Sequence, residues 1–152
     1  MTRRTIILSV AALGLAAAGC SSSSKTVAST PAAASAGSGT VALGTTAKAG
    51  QVLVGSNGHT LYLLETEVGT TSMCTGGCAG TWPALVASSP GAGSGVTQAK
   101  LSTANGQAPN QVVYNGHLLY YFAGDSAAGD VNGTSIPHWY PVGADGNKVD
   151  KG

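Results

Sequence analysis

Asn57-Gly58-His59-Thr60-Leu61-Tyr62 and Asn115-Gly116-His117-Leu118-Leu119-Tyr120 are two versions of one phrase, 58 residues apart. Each follows a β-prone apolar run, Val52-Leu53-Val54-Gly55-Ser56 in the first copy and Gln111-Val112-Val113-Tyr114 in the second. Asn-Gly between such runs predicts a hairpin, because a type I′ turn needs φ > 0 at both central residues. A two-residue loop fixes the register. It places Ser56 opposite His59, Val54 opposite Leu61, Leu53 opposite Tyr62 and Val52 opposite Leu63. In the second copy it places Val112 opposite Leu119 and Gln111 opposite Tyr120. Side chains alternate along a strand, so apolar residues fall on both faces of both hairpins. That predicts a sheet covered on both sides, or two packed sheets.

The likeness extends past the hairpins. An acid stands five residues after each tyrosine, Glu67 and Asp125, and a Trp-Pro element follows, Trp82-Pro83 and Trp139-Tyr140-Pro141. A duplicated unit of this size needs a neighbour to bury its apolar face. The expected fold is all-β, a small antiparallel sandwich or barrel-like domain of seven to nine short strands with pseudo-two-fold symmetry. Repeat one covers about 50–88 and repeat two about 108–146 of a domain spanning 50–152. Strands are expected at Trp82 to Val86 and Trp139 to Val142, a Gly/Ser/Pro loop joining the halves at Ser88 to Gly95, and a turn at Asp145-Gly146.

The N-terminus reads as an export signal. Arg3-Arg4 precede an apolar stretch of thirteen residues, Ile6 to Ala18, too short for a bilayer span of about 20 residues and suited to a signal-peptide core. The segment ends in Ala17-Ala18-Gly19-Cys20, which resembles the lipobox of bacterial lipoproteins. Residues 1–19 then form the leader, and Cys20 takes the diacylglyceryl group; membrane lipid is the first expected partner. An ordinary leader with a free Cys20 is the plainer alternative. From Ser21 to about Ala49 the chain is mostly Ser, Ala, Thr and Gly. Such a composition cannot offset its ordering entropy. Residues 20–49 are expected to be a flexible tether reaching on the order of 30 Å.

Tyr120-Tyr121-Phe122-Ala123-Gly124-Asp125 follows the order Tyr, any residue, an aromatic, any two residues, Asp. In this, and in Leu61-Tyr62 followed by Cys74-Thr75-Gly76-Gly77-Cys78-Ala79-Gly80-Thr81-Trp82-Pro83, the chain resembles a family of bacterial secreted-repeat lipoproteins of unassigned function. The resemblance runs over about 50–146 and singles out Tyr62, Glu67, Tyr120, Phe122 and Asp125. The first copy departs from the pattern, with Leu64 in place of the aromatic and Glu67 in place of Asp. The resemblance implies an extracytoplasmic location at the cell membrane and a related fold. For the acids themselves two readings stand: hydrogen bonding to turn amides, or a ligand or metal role.

With Cys20 acylated, Cys74 and Cys78 remain, and an oxidising compartment makes a disulfide the default. Gly76-Gly77 between them eases the turn that closure requires. The sharper alternative is a copper, haem or redox carrier. Met73, Cys74 and Cys78 offer soft sulfur ligands for Cu(I), and His59, His117 and His138 could complete a site. Beside it stands the plain reading of His59 and His117 as exposed residues just after a turn. Asp130-Val131-Asn132-Gly133 begins like a calcium loop but lacks the later oxygen ligands.

After processing, five lysines face six acids, a net charge of −1, and no arginine is left. Nucleic acid is therefore not an expected partner. There is no nucleophile elbow, phosphate loop or zinc-protease helix. A Glu67/Asp125 carboxylate pair for glycoside hydrolysis has no surrounding sequence to form a deep pocket. The expected function is a non-catalytic binding or interaction module on the outer face of the membrane, engaging an envelope protein or a small ligand.

Overall fold

The computed structural model describes residues 39–150. The predicted leader, Cys20 and the tether up to residue 38 lie outside them. Among the described residues eight short strands form three small sheets. The first orders β2-β1-β4, with β1 (Thr40–Thr46) antiparallel to β2 (Gly50–Val54) and parallel to β4 (Gly91–Ala92). The second pairs β3 (Tyr62–Leu64) with β8 (Trp139–Pro141), antiparallel. The third orders β5 (Leu101–Ala104), β6 (Gln111–Tyr114) and β7 (His117–Leu118). One short helix, α1 (Gly77–Thr81), and two 3-10 turns complete the elements. The all-β expectation is met.

The second hairpin has the predicted register. Asn115 and Gly116 both take φ > 0, at 50° and 86°, and Tyr114 pairs with His117 and Val113 with Leu118. The first hairpin is corrected by one residue. Thr60, not Leu61, lies opposite Val54, and the Leu61 N–H donates to Leu53 O at 2.8 Å. Only Gly58 of the Asn-Gly pair has φ > 0, at 78°. Gly58 N–H closes the turn on Gly55 O at 2.9 Å, and Gly55 N–H reaches His59 O at 3.0 Å. This is a three-residue loop, a turn followed by a left-handed glycine that forms a bulge. The first copy carries Gly55-Ser56 where the second has Tyr114 alone. The bulge absorbs that extra residue, so the strands keep the pairing of the other copy. Without it, a one-residue slip would turn every side chain to the wrong face.

The tether expectation is corrected at its C-terminal end. Residues 40–46 are a strand, with five registered partners in β2. Val41 is fully buried, and Leu43 packs against the same core. Averaged composition hides the two apolar side chains that alternate in Thr-Val-Ala-Leu. The folded domain therefore begins near residue 40, not 50. Within the joining loop, Gly91–Ala92 pairs with Thr40–Val41. Trp82 to Val86 is no continuous strand. Trp82 follows α1, its N–H bonded to Cys78 O at 2.8 Å, while Ala84 and Val86 make single bridges.

The two repeats are interleaved. Leu61 N–H donates to Leu53 O (2.8 Å), Val142 N–H to Leu61 O (3.1 Å) and Leu53 N–H to Val142 O (2.7 Å). The other half repeats this triangle: Leu119 N–H to Val112 O (3.0 Å), Leu85 N–H to Leu119 O (3.0 Å) and Val112 N–H to Leu85 O (2.8 Å). Each hairpin thus takes its third partner from the other repeat's Trp-Pro segment. Tyr62 and Tyr120 join the halves through reciprocal backbone bonds of 2.8 and 3.0 Å. Period-2 alternation then sorts the side chains onto two faces. Leu53, Leu61, Leu63, Leu85, Leu119 and Val142 enter one core cluster. Tyr62, Trp82, Tyr120 and Trp139 enter the other, with Val113 and Leu118. Neither repeat can close its own sheet or fill its own core.

Candidate functional site

The motif side chains converge on the aromatic cluster at the pseudo-two-fold axis. The indoles of Trp82 and Trp139 stack with centroids 3.7 Å apart and planes 4° from parallel. Tyr62 meets Trp82 edge-on at 5.3 Å, and Tyr120 meets Trp139 edge-on at 5.1 Å. Phe122 closes the Trp82 side, its centroid 4.6 Å from the indole. Edge-to-face contacts of this kind add to the burial energy of the rings.

The acids pair in trans. Tyr62 of repeat one donates its hydroxyl proton to Asp125 Oδ2 of repeat two at 2.7 Å. Tyr120 of repeat two donates to Glu67 Oε1 of repeat one at 2.8 Å. Backbone amides hold each carboxylate from behind: Asn132 N–H on Asp125 Oδ1 and Met73 N–H on Glu67 Oε1, both at 2.8 Å. The turn-amide reading of the acids is thus half the arrangement, and the tyrosine of the opposite repeat is the other half. Burial, followed by the bond to Asp125, raises the Tyr62 phenol; burial likewise raises Tyr120. Desolvation also lifts Asp125 above the ordinary carboxylate range, against the bonds from Tyr62 and Asn132. All four groups are engaged inside the domain, by one another, by backbone amides and, at Glu67 and Tyr120, by the Ser72 hydroxyl.

Cys74 and Cys78 form a disulfide with Cα atoms 5.2 Å apart. It braces the Glu67 side alone. Cys74 N–H donates to Ser72 Oγ at 3.1 Å, and Ser72 Oγ lies 2.7 Å from Tyr120 Oη. Gln107 ties the same loop down, its Nε2 donating to Cys74 O at 2.8 Å and Trp82 O at 3.0 Å. The Asp125 side has no disulfide; the 3-10 turn Asn132–Ser135 supplies its amides. Reducing the disulfide releases a short loop and is expected to cost about 2 kcal/mol. Hydrogen exchange would check it: the amides of Met73 and Cys74 should speed up, and those of Asn132 and Gly133 should not.

The copper site built on Met73, Cys74 and Cys78 is not assembled. Both thiolates it needs are joined to each other, and Met73 is 63 % exposed. Among the described residues no three His, Cys, Asp or Glu side chains gather closely enough to hold a metal ion. His59 lies within the field of Asp125 and Asp130, whereas His117 lines a cleft beside Glu65. The repeat histidines therefore serve different surroundings. Asp130 accepts the Ser126 and Ala127 amides at 2.9 Å each, which makes its segment a polar turn.

That cleft, of about 340 Å³, is lined by Leu63, Glu65, His117, Asn147 and Lys148. Lys148 forms an ion pair with Glu65 and lies 4.6 Å above the Tyr140 ring; His138 Nδ1 approaches Glu65 Oε2 at 3.5 Å. The Lys148 pairing holds the Glu65 carboxyl below its ordinary range. Glu65, Tyr140, Asn147 and Lys148 escaped the sequence reading, although comparing the copies position by position sets Glu65 against Ala123 and so marks it as unshared.

A family model described as a secreted repeat of unknown function matches the chain twice, over residues 45–86 and 102–142. No curated protein and no solved structure matches it. Among the described residues no helix is long and apolar enough to cross a membrane.

Proposed function

Because the chain belongs to the family of secreted repeats of unknown function, we propose that it is a lipoprotein on the extracytoplasmic face of the cell membrane, held by acylated Cys20 and presenting a non-catalytic binding module. The observation that carries the reading is where the motif side chains go. Both tyrosines and both acids are engaged inside the domain, so the repeated motif builds a scaffold and recognition falls to the outward surfaces. The anchor follows from Ala17-Ala18-Gly19-Cys20 after a thirteen-residue apolar leader. Two or more acyl chains, at about 0.8 kcal/mol per buried CH₂, suffice to hold a small domain at a membrane. Its partners are then membrane lipid and an envelope protein or small ligand.

Fractionation of cells grown with labelled palmitate tests the anchor. Wild type should be labelled and sediment with membranes; Cys20→Ser should be unlabelled and leave the membrane fraction. An unmodified Cys20 thiol in the mature wild-type chain would overturn the lipid anchor. The non-catalytic part has its own test. Glu67→Gln and Asp125→Asn should lower stability and leave the set of in-cell crosslinks unchanged.

A further inference from the structure

Two backbone contacts beside the Glu65 cleft recur in the other half, and the side chains there do not. Glu65 N–H donates to His138 O at 2.8 Å, as Ala123 N–H donates to Thr81 O at 2.9 Å. Leu63 lies opposite Tyr140 in the β3–β8 ladder, as Tyr121 N–H meets Pro83 O at 2.9 Å in the other half. So Leu63, Glu65, His138 and Tyr140 occupy the places held by Tyr121, Ala123, Thr81 and Pro83. On that second side the Tyr121 ring closes tightly over Gly55, where a Cβ would overlap its hydroxyl. On the first side Leu63 stands at the place of Tyr121 and Tyr114 at that of Gly55, and a cleft of about 340 Å³ is lined by Leu63.

We propose that this cleft binds a free α-amino acid with an aliphatic side chain, the ligand carboxylate on Lys148, the ligand ammonium on Glu65, and the side chain in the cleft between Leu63 and His117. The inference rests on the binding-module reading and gives it a site and a ligand class. Four observations carry it. First, the cleft presents a cation and an anion in contact, which matches the two close, opposite charges of a zwitterion laid beside them. Second, both charges are exposed, at 40 % and 36 %; an exposed pair is screened by solvent and holds its geometry weakly, so rearranging it around a ligand costs little. Third, the cleft lies near the lower end of the volumes that take small molecules, about 300 Å³ upward. Fourth, Glu65 is held from two sides by His138, through its carbonyl and its imidazole. His138 is itself in the left-handed region at φ 67°, a backbone state uncommon for residues other than glycine. His117 and Asn147 close the rim.

Titration of the Cys20→Ser chain, followed by amide chemical shifts, tests the assignment with three probes: L-leucine, 4-methylpentanoate (no ammonium) and 3-methylbutylamine (no carboxylate). Leucine should move the resonances of Leu63, His117 and Lys148 and saturate. Each half-ligand should bind about tenfold or more weakly, because one charge-assisted bond is gone. Glu65→Gln should erase the advantage of leucine over 4-methylpentanoate, and Lys148→Met its advantage over the amine. No leucine-induced shift at these residues would overturn the proposal, as would equal binding by the three probes or unchanged binding in both variants. Leucine shifts confined to another face would remove this cleft and leave the binding-module reading standing. Loss of membrane attachment on its own would touch only the anchor.

Discussion

Trp139→Ala is expected to cost about 3–5 kcal/mol, the range for truncating a buried large aromatic residue. The indole is 5 % exposed and stacks on Trp82, meets Tyr120 edge-on, and stands in the only ladder that joins β3 to β8. Loss on this scale is comparable with the whole stability of a small domain, about 5–15 kcal/mol. Urea denaturation would measure it. Trp82→Ala should cost a similar amount, since Trp82 is 3 % exposed and occupies the equivalent place. The double variant should cost less than the sum, because the stacking contact is counted in each single change. Near-ultraviolet circular dichroism offers a check without unfolding. Two parallel indoles 3.7 Å apart should give a coupled signal that Trp139→Phe abolishes while the far-ultraviolet spectrum is kept. Strict additivity, or no such signal in wild type, would contradict the stacked pair.

Asp125→Ala is expected to cost about 1.5–3 kcal/mol, the range for a hydrogen bond to a charged group in a site closed to water. Tyr62 is fully buried and donates its proton only to Asp125; Gly133 N–H also donates to its oxygen, at 3.3 Å. Truncation therefore leaves a hydroxyl proton without an acceptor. Tyr62→Phe alone should cost less, because the carboxylate keeps the Asn132 amide and lies near the surface turn. In a double-mutant cycle the two changes should couple, whereas Tyr120→Phe with Asp125→Ala should add simply. That contrast separates pairing in trans from pairing within a repeat.

The same carboxyl predicts a pH dependence. Burial places Asp125 above the ordinary carboxylate value in the folded state. The folded state then binds this proton more tightly than the unfolded chain, and ionisation opposes folding. The contribution of Asp125 is fullest below the unfolded value, near 3.9, and falls as pH rises through the folded value. Asp130 and Asp145 work in the opposite sense. Backbone amides hold them below the ordinary range, so what they contribute is lost as pH falls. Asp125→Asn removes only the first effect. Its stability deficit against wild type should shrink as pH rises from about 3 toward neutrality; a deficit that grows over that span would show that the carboxylate is stabilised, not strained, by its site.

Much of this was legible in the residues because local chemistry decides it. Asn115-Gly116 between apolar runs has one turn to make, and it makes it. Gly76-Gly77 between two cysteines permits the closure that is found. The duplicated phrase announced two hairpins, two faces and a shared core. Local signals failed where two local answers differ by a single residue. Gly55-Ser56 made the first loop three residues long, and only the ladder to Val142 selects the bulged register over the flush one. They failed again at Thr40–Thr46, where the alternation of Val41 and Leu43 is hidden in a Ser/Ala/Gly average and the pairing with β2 and β4 reveals the strand.

What the sequence determined by itself was therefore the periodicity: where chains turn, which side chains alternate, and that the unit occurs twice. Partner choice was a tertiary matter. A Tyr and an acid five residues apart read as one local motif, yet each tyrosine reaches the acid of the other copy. The cause is the exchange of Trp-Pro segments between the hairpins. It carries each loop across the axis, and no spacing within one repeat encodes it. The cleft at Glu65 is likewise invisible along the chain, since Leu63, His117 and Lys148 meet only once the exchanged strand and the C-terminal turn are in place.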